Sequence, residues 1–175
     1  MDKKIFIING SGGVGKDSFV KLVSEELNDI EKKFNTVWNY SSVDKAKEIA
    51  KQIGWNGQKE ERDRKFLSDL KVLCSDYCDM PFNDMRNKVE EFKKDDNSIF
   101  LFLHIREPEE IRRAVEEFNA RTVLIKRSSV QHITSNMADA NVFNYKYDYV
   151  IDNYGTLDDF RELVKYFIKG ELNDR

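Results

Sequence analysis

The feature that most constrains this chain is an almost unbroken apolar run followed at once by glycines. Residues 4–9 (Lys-Ile-Phe-Ile-Ile-Asn) lead into Gly10-Ser11-Gly12-Gly13-Val14-Gly15-Lys16. The run has the length and composition of a strand covered on both faces. Beyond the glycines, Phe19, Leu22, Val23, Leu27 and Ile30 recur at helical spacing, which predicts an amphipathic helix over about 15–29. Strand, glycine loop and helix in this order form the setting in which Gly-x-x-x-x-Gly-Lys binds phosphate. Glycines let backbone N–H groups converge on phosphate oxygens, and the helix N-terminus adds a positive dipole end. Gly10, Ser11, Gly12, Gly13, Val14, Gly15 and Lys16 are therefore the candidate triphosphate-binding residues, with Lys16 reaching the β- and γ-phosphates.

Where this pattern usually has Ser or Thr, the chain has Asp17, followed by Ser18. A carboxylate is a ligand that Mg²⁺ accepts, directly or through water. The plainer alternative is that Asp17 only favours the positive end of the helix. Ser18 is a candidate contact to the α-phosphate.

The rest of the chain alternates strands with helices. Strands are expected at 36–41, 98–105, 122–126 and 147–152. Helices are expected at 46–53, 59–79, from Pro81 to about Lys94, from Pro108 to Phe118, and from Leu157 to Lys169 with Gly170 as its end. In the 59–79 helix Phe66, Leu70, Leu73 and Tyr77 are expected on one face. Such alternation implies right-handed crossovers. The expected fold is three-layer α/β of the P-loop NTPase type, with a five-stranded, mainly parallel sheet flanked by helices.

No repeat, low-complexity tract or Pro/Gly-rich linker divides the 175 residues, so 1–175 reads as one domain. The balance of 29 basic and 32 acidic residues, net −3, does not suggest a nucleic-acid binder. No apolar run approaches the length of a membrane span. Cys74 and Cys78, four apart, lack a second Cys/His pair to complete a zinc set. They read as reduced, partly buried thiols, which suits a cytoplasmic protein.

The Gly15-Lys16-Asp17-Ser18 segment resembles the Gly-Lys-Asp variant of P-loop kinases. That variant occurs in phage-type deoxynucleoside monophosphate kinases and in animal-type phosphomevalonate kinases. Further similar segments lie in order over about residues 3–168. They are Ser41 to Lys47, Trp55 to Leu70, Ile105-Arg106-Glu107-Pro108-Glu109-Glu110, and Tyr147 to Leu157. The resemblance implies ATP and Mg²⁺ as cofactors, a (deoxy)nucleoside monophosphate acceptor, an acceptor-binding helical insertion at about 42–94 and a lid at about 127–146. It implies Asn153 and Gly155 in a loop beside the adenine, and acceptor contacts from Ser42, Asp44, Lys45 and Arg64. The chain departs from the family at two places. His104 stands where an Asp is frequent, and Arg127 is the only arginine in the lid segment.

Phosphoryl transfer demands positioning and charge neutralisation. Arg106, just beyond a buried strand, is the first candidate for a bidentate grip on an acceptor phosphate. Its alternative is a surface ion pair with Glu107 or Glu110. Arg127 is the lid candidate for the transferring group, and Lys16, Arg106 and Arg127 make up the candidate catalytic set. Arg64 and its neighbour Asp63 read equally as solvated helix charges, and Asp44 as an N-cap. His104 reads more simply as a satisfied strand-end histidine, and His132 as a loop residue. Trp38, Tyr40 and Trp55 are either packing residues or base-stacking ones. A kinase for another metabolite, such as phosphomevalonate, and a non-catalytic nucleotide-binding protein are the competing readings. No Asn-Lys-x-Asp motif, and no Asp-x-x-Gly after the third strand, supports a GTPase.

Overall fold

The computed structural model describes residues 2–31, 37–58, 60–127 and 142–173. The expected lid falls largely on 128–141, and His132 and Lys59 also lie outside the described residues. The chain divides into two compact units, residues 1–39 with 95–175, and residues 40–94.

The first unit is built on a five-stranded sheet. Its strands are β1 (Lys4–Asn9), β2 (Val37–Ser41, whose last two residues belong to the second unit), β3 (Phe100–His104), β4 (Arg121–Lys126) and β5 (Tyr149–Asp152). The strand order is β2-β3-β1-β4-β5. The β1 strand pairs in parallel with β3 (Ile7 opposite Leu103) and with β4 (Ile8 opposite Val123), and β4 pairs in parallel with β5. The helices of this unit are α1 (Lys16–Glu31), α5 (Pro108–Phe118) and α6 (Leu157–Asn173).

Side chains alternate across each strand, and the two faces bury different partners. Phe6, Ile8, Phe100, Phe102, Val123 and Ile125 form one core with Phe19, Val23 and Leu27 of α1 and Phe160, Val164 and Phe167 of α6. Phe6 and Phe102 stack at 5.2 Å, and Phe19 and Phe167 meet edge-on at 5.3 Å. On the other face α5 packs against β1, burying Ile111, Ala114 and Phe118. Pro108 opens α5 with Glu109 and Glu110 in its first turn, as the sequence leads one to expect.

Several boundaries shift from the sequence reading, as at β3, which spans Phe100–His104 rather than 98–105. β5 starts at Tyr149 rather than at residue 147. Gly170 does not end α6, which continues to Asn173. The reason is tertiary. Glu171 is 1% exposed; its carboxylate pairs with Lys4 at 3.0 Å and Arg121 at 2.9 Å, and accepts from the Tyr149 hydroxyl. These contacts outweigh the roughly 1 kcal/mol that a helical glycine costs.

The second unit holds α2 (Asp44–Gln52), α3 (Glu61–Cys78) and α4 (Met80–Lys94), which pack on one another. α4 buries Phe82, Met85, Val89 and Phe92. The face expected on α3 is not buried as a whole. Leu73 is 65% and Tyr77 88% exposed, while Phe66 and Leu70 are half-buried. Among the described α3 residues, the buried one is Asp63. Its carboxylate accepts the Glu60 N–H at 3.2 Å in a capping box, so it starts a helix rather than lying on a solvated face. Cys74 is half-buried, and Cys78 is exposed.

Candidate phosphate-binding site

The sheet brings several candidates to one edge. The glycine loop follows β1, Arg106 follows β3, Arg127 follows β4 and Asn153 follows β5. Since the strands are parallel, all four lie beyond carboxyl ends, the edge where α/β sheets gather ligands.

The loop runs from Gly10 to Gly15 and enters α1 at Lys16. Its shape depends on glycine at two positions above all. Gly10 has φ +147°, and a Cβ there would run into the Ile125 carbonyl oxygen of β4. Gly15 has φ +103°, and a Cβ would come within 2.6 Å of Asn153 Nδ2. Both combine a backbone conformation that L side chains resist with a close neighbour. Val14 and Ser11 are buried between them, 4% and 3% exposed. The Lys16 ammonium donates to the Gly10 carbonyl and, at 2.9 Å, to the Ser11 carbonyl. It is thus held over the loop it belongs to, at the positive end of α1.

Two buried asparagines brace the loop. Asn153 Nδ2 donates to the Val14 carbonyl at 2.9 Å, and the Asn153 N–H donates to the Lys126 carbonyl at 2.7 Å. Its side-chain amide is therefore bound to the loop backbone. Gly155, two residues on, has φ +83° and backs onto the Asp159 carboxylate at the start of α6.

Asn9, fully buried at the end of β1, is the second brace. Its Oδ1 accepts the Gly10 N–H at 2.8 Å. Its Nδ2 donates to the Arg106 carbonyl at 3.2 Å and to the Tyr147 hydroxyl at 2.7 Å. That hydroxyl donates in turn to the Val142 carbonyl at 2.8 Å. Burial pushes the Tyr147 phenol up to about 12, against the opposite pull of the Asn9 amide. The sequence reading missed Asn9 and Tyr147. A polar residue closing an otherwise apolar strand was the available signal for Asn9.

The other candidates differ in setting. Asp17, Ser18 and Arg127 are exposed, and Arg106 is half-buried. His104 Nε2 bonds Asn39 Oδ1 at 2.7 Å, which fits a satisfied strand-end histidine. Trp38 donates to Asp95 Oδ2 at 3.1 Å.

In the second unit, Asp44 is the first residue of α2 and Val43 its cap, so Asp44 is not the N-cap. Its Oδ2 accepts the Ser41 N–H at 2.9 Å, and its Oδ1 pairs with Lys47 at 2.7 Å. Ser42 is buried, and its hydroxyl accepts from Lys71 at 2.9 Å. Lys45 pairs with Glu48 at 2.7 Å, and Arg64 is exposed on α3. Tyr40 donates to the Asp84 carboxylate; burial and then that carboxylate raise its pKa. Trp55 donates to the Gln58 carbonyl at 3.2 Å.

Mg²⁺ is held by few protein oxygens when phosphates supply the rest. The exposed Asp17 carboxylate and Ser18 hydroxyl, in the first turn of α1, are hard oxygen donors that fit such an ion. Among the described residues no three His, Cys, Asp or Glu side chains converge into a cage that would hold it without phosphate. No described helix is long and apolar enough to cross a membrane.

No family model and no curated protein matches the chain. Solved structures do. TT1252 from Thermus thermophilus aligns with TM-score 0.57 and 15% identity over 97% of this chain and 98% of its own. Thymidylate kinase from Ehrlichia chaffeensis aligns with TM-score 0.52 and 13% identity, covering 97% and 100%. Dephospho-CoA kinase from Campylobacter jejuni aligns with TM-score 0.51 and 17% identity, covering 96% and 97%. At these identities the likeness is one of fold. The chain has the expected three-layer α/β architecture, a five-stranded parallel sheet flanked by helices, shared with P-loop kinases.

Proposed function

We propose that this chain transfers the γ-phosphoryl group of ATP to a small phosphorylated acceptor, most simply a (deoxy)nucleoside monophosphate. The observation that carries the proposal is the phosphate loop. Gly10 and Gly15 hold conformations that other residues resist, Asn9 and Asn153 brace the backbone, and the Lys16 ammonium lies over it at the head of α1. Such a loop presents N–H groups and a cation to phosphate oxygens. Two structures of similar fold, the thymidylate and dephospho-CoA kinases, are named for phosphoryl transfer to small molecules, which supports a transferase over a switch protein.

In this reading residues 10–16 hold the triphosphate, and Lys16 neutralises charge on the β- and γ-phosphates. Asp17 would hold Mg²⁺, which supplies charge neutralisation at the phosphates when bound, and Ser18 would contact the α-phosphate. Arg106, half-buried beyond β3, grips the acceptor phosphate, and Arg127 beyond β4 neutralises the transferring group. The bond from the γ-phosphorus to the β–γ bridging oxygen breaks. A bond from the same phosphorus to an acceptor phosphate oxygen forms, giving ADP and a nucleoside diphosphate. Asn153 acts by bracing the loop, with Gly155 beside it on the adenine side. Ser42, Asp44, Lys45 and Arg64 of the second unit are proposed acceptor contacts. The alternatives are a kinase for another metabolite, such as phosphomevalonate, and a non-catalytic nucleotide-binding protein.

The test is ADP release from ATP and Mg²⁺ across a panel of ribo- and deoxynucleoside monophosphates, with phosphomevalonate included. Turnover that needs a nucleoside monophosphate and is lost in Lys16→Ala supports the proposal. Turnover with phosphomevalonate alone moves the acceptor to the metabolite reading. ATP binding with no acceptor-dependent turnover supports the non-catalytic one.

A further inference from the structure

We infer that Asn9 and Tyr147 are positioning residues for the phosphate loop, setting its affinity for the triphosphate without touching it. This inference rests on the reading of residues 10–16 as a triphosphate site.

Asn9 is fully buried where β1 becomes the loop. An asparagine amide has two unlike ends, one accepting and one donating. Here the surroundings decide which end faces the loop. The Tyr147 hydroxyl gives its proton to the Val142 carbonyl, so it turns a lone pair toward Asn9. The Arg106 carbonyl is a second acceptor on the same side. Two acceptors on that side draw Nδ2, and Oδ1 is left facing the Gly10 N–H. Reversed, the amide would set a donor against the Gly10 N–H and its oxygen against two acceptors. The loss of buried hydrogen bonds at both ends disfavours that state strongly.

The consequence reaches Lys16. Gly10 at φ +147° is the residue whose N–H is fixed by Asn9 and whose carbonyl accepts the Lys16 ammonium. Holding Gly10 therefore fixes where the ammonium rests. A chain of hydrogen bonds runs from Val142 through Tyr147, Asn9 and Gly10 to Lys16. Removing the Tyr147 hydroxyl leaves the Arg106 carbonyl, at 3.2 Å, to orient the amide without its second partner. Because the loop must converge several N–H groups on one phosphate, loss of its first anchor weakens triphosphate binding. A plain packing role for Tyr147 would instead lower stability and leave the affinity of the folded protein unchanged.

The experiment is calorimetric titration of the full chain with ATP and Mg²⁺. Wild type, Lys16→Ala, Tyr147→Phe, Asn9→Ala and the Tyr147→Phe/Asn9→Ala double variant are compared, each at a temperature where urea melts show it folded. The expected result is that Tyr147→Phe raises the Kd of the folded protein about tenfold, beside the fall in urea midpoint that losing the hydroxyl's two hydrogen bonds brings. The double variant is then no weaker than Asn9→Ala alone, because the two residues act through one anchor. Should Asn9→Ala not fold, Tyr147→Phe decides by itself. A Tyr147→Phe Kd within twofold of wild type, with binding still lost in Lys16→Ala, overturns this inference and leaves the triphosphate site standing. Failure of the wild type to bind ATP overturns both.

Discussion

The side-chain amide of Asn153 donates to the carbonyl of Val14 across 2.9 Å, joining residues 139 positions apart in the chain. The bond ties the end of β5 to the inside of the glycine loop, and Gly15 is the residue that gives it room. Removing the amide by Asn153→Ala leaves a buried carbonyl without this partner, a loss of about 1–3 kcal/mol. Gly15→Ala attacks the same contact from the other side, with a Cβ 2.6 Å from Nδ2 and a backbone held at φ +103°. Both variants are expected to lower the urea midpoint and weaken ATP binding, with Gly15→Ala the more severe. Urea denaturation with and without ATP measures both effects.

Arg106 carries the proposed grip on the acceptor phosphate. Arg106→Ala is expected to lower kcat/KM for the acceptor more than tenfold, a loss of at least about 1.4 kcal/mol in transition-state stabilisation, with ATP affinity little changed. Initial rates at varied acceptor concentration check it. Unchanged acceptor kinetics would return Arg106 to a surface role.

The fold was legible where each segment decides its own structure. The apolar run at 4–9, the glycines after it and the Phe19, Leu22, Val23, Leu27 stripe specify strand, loop and helix from neighbouring residues alone. Legibility ended where distant partners decide. Gly170 carries a local stop signal, yet Glu171 beside it is held by Lys4, 167 positions away, and the helix continues. Leu73 and Tyr77 sit on the helical period of α3 but stand exposed, because the period alone does not say which residues find a neighbour. The site divides in the same way. The loop residues were readable as a motif. The bracing by Asn153, Asn9 and Tyr147 was not, since an asparagine or tyrosine gives no local sign of which backbone group it will meet.

The Gly170–Glu171 pair gives a stability prediction. A Cβ on Gly170 would meet nothing within 4 Å, and the residue lies inside a helix. Gly170→Ala is expected to stabilise the chain by about 0.5–1 kcal/mol. Glu171→Ala should destabilise it by about 2–3 kcal/mol. That is less than the loss of one partner of a fully buried pair, because Arg121 is 39% exposed and regains water. Thermal melts of the two variants should move in opposite directions.

Burial pushes the folded Tyr147 phenol up to about 12, above the ordinary tyrosine value of 10.0. The folded chain therefore keeps this proton where the unfolded chain releases it. The stabilising contribution is complete below pH 10 and is lost as pH rises from 10 toward about 12. Tyr147→Phe removes the titrating group, so the difference in stability between wild type and variant should shift in the variant's favour across that interval. Urea midpoints of both proteins at pH 9, 10, 11 and 12 measure the difference.

The central claim is phosphoryl transfer that depends on the Gly10–Lys16 loop, and following the γ-phosphoryl group itself tests it most directly. ATP labelled at the γ-phosphate is incubated with the chain, Mg²⁺ and a mixture of nucleoside monophosphates, and the products are separated by chromatography. The account predicts label in a nucleoside diphosphate with wild type and none with Lys16→Ala. Label that remains in ATP, or passes only to inorganic phosphate, while the wild type binds ATP would contradict it.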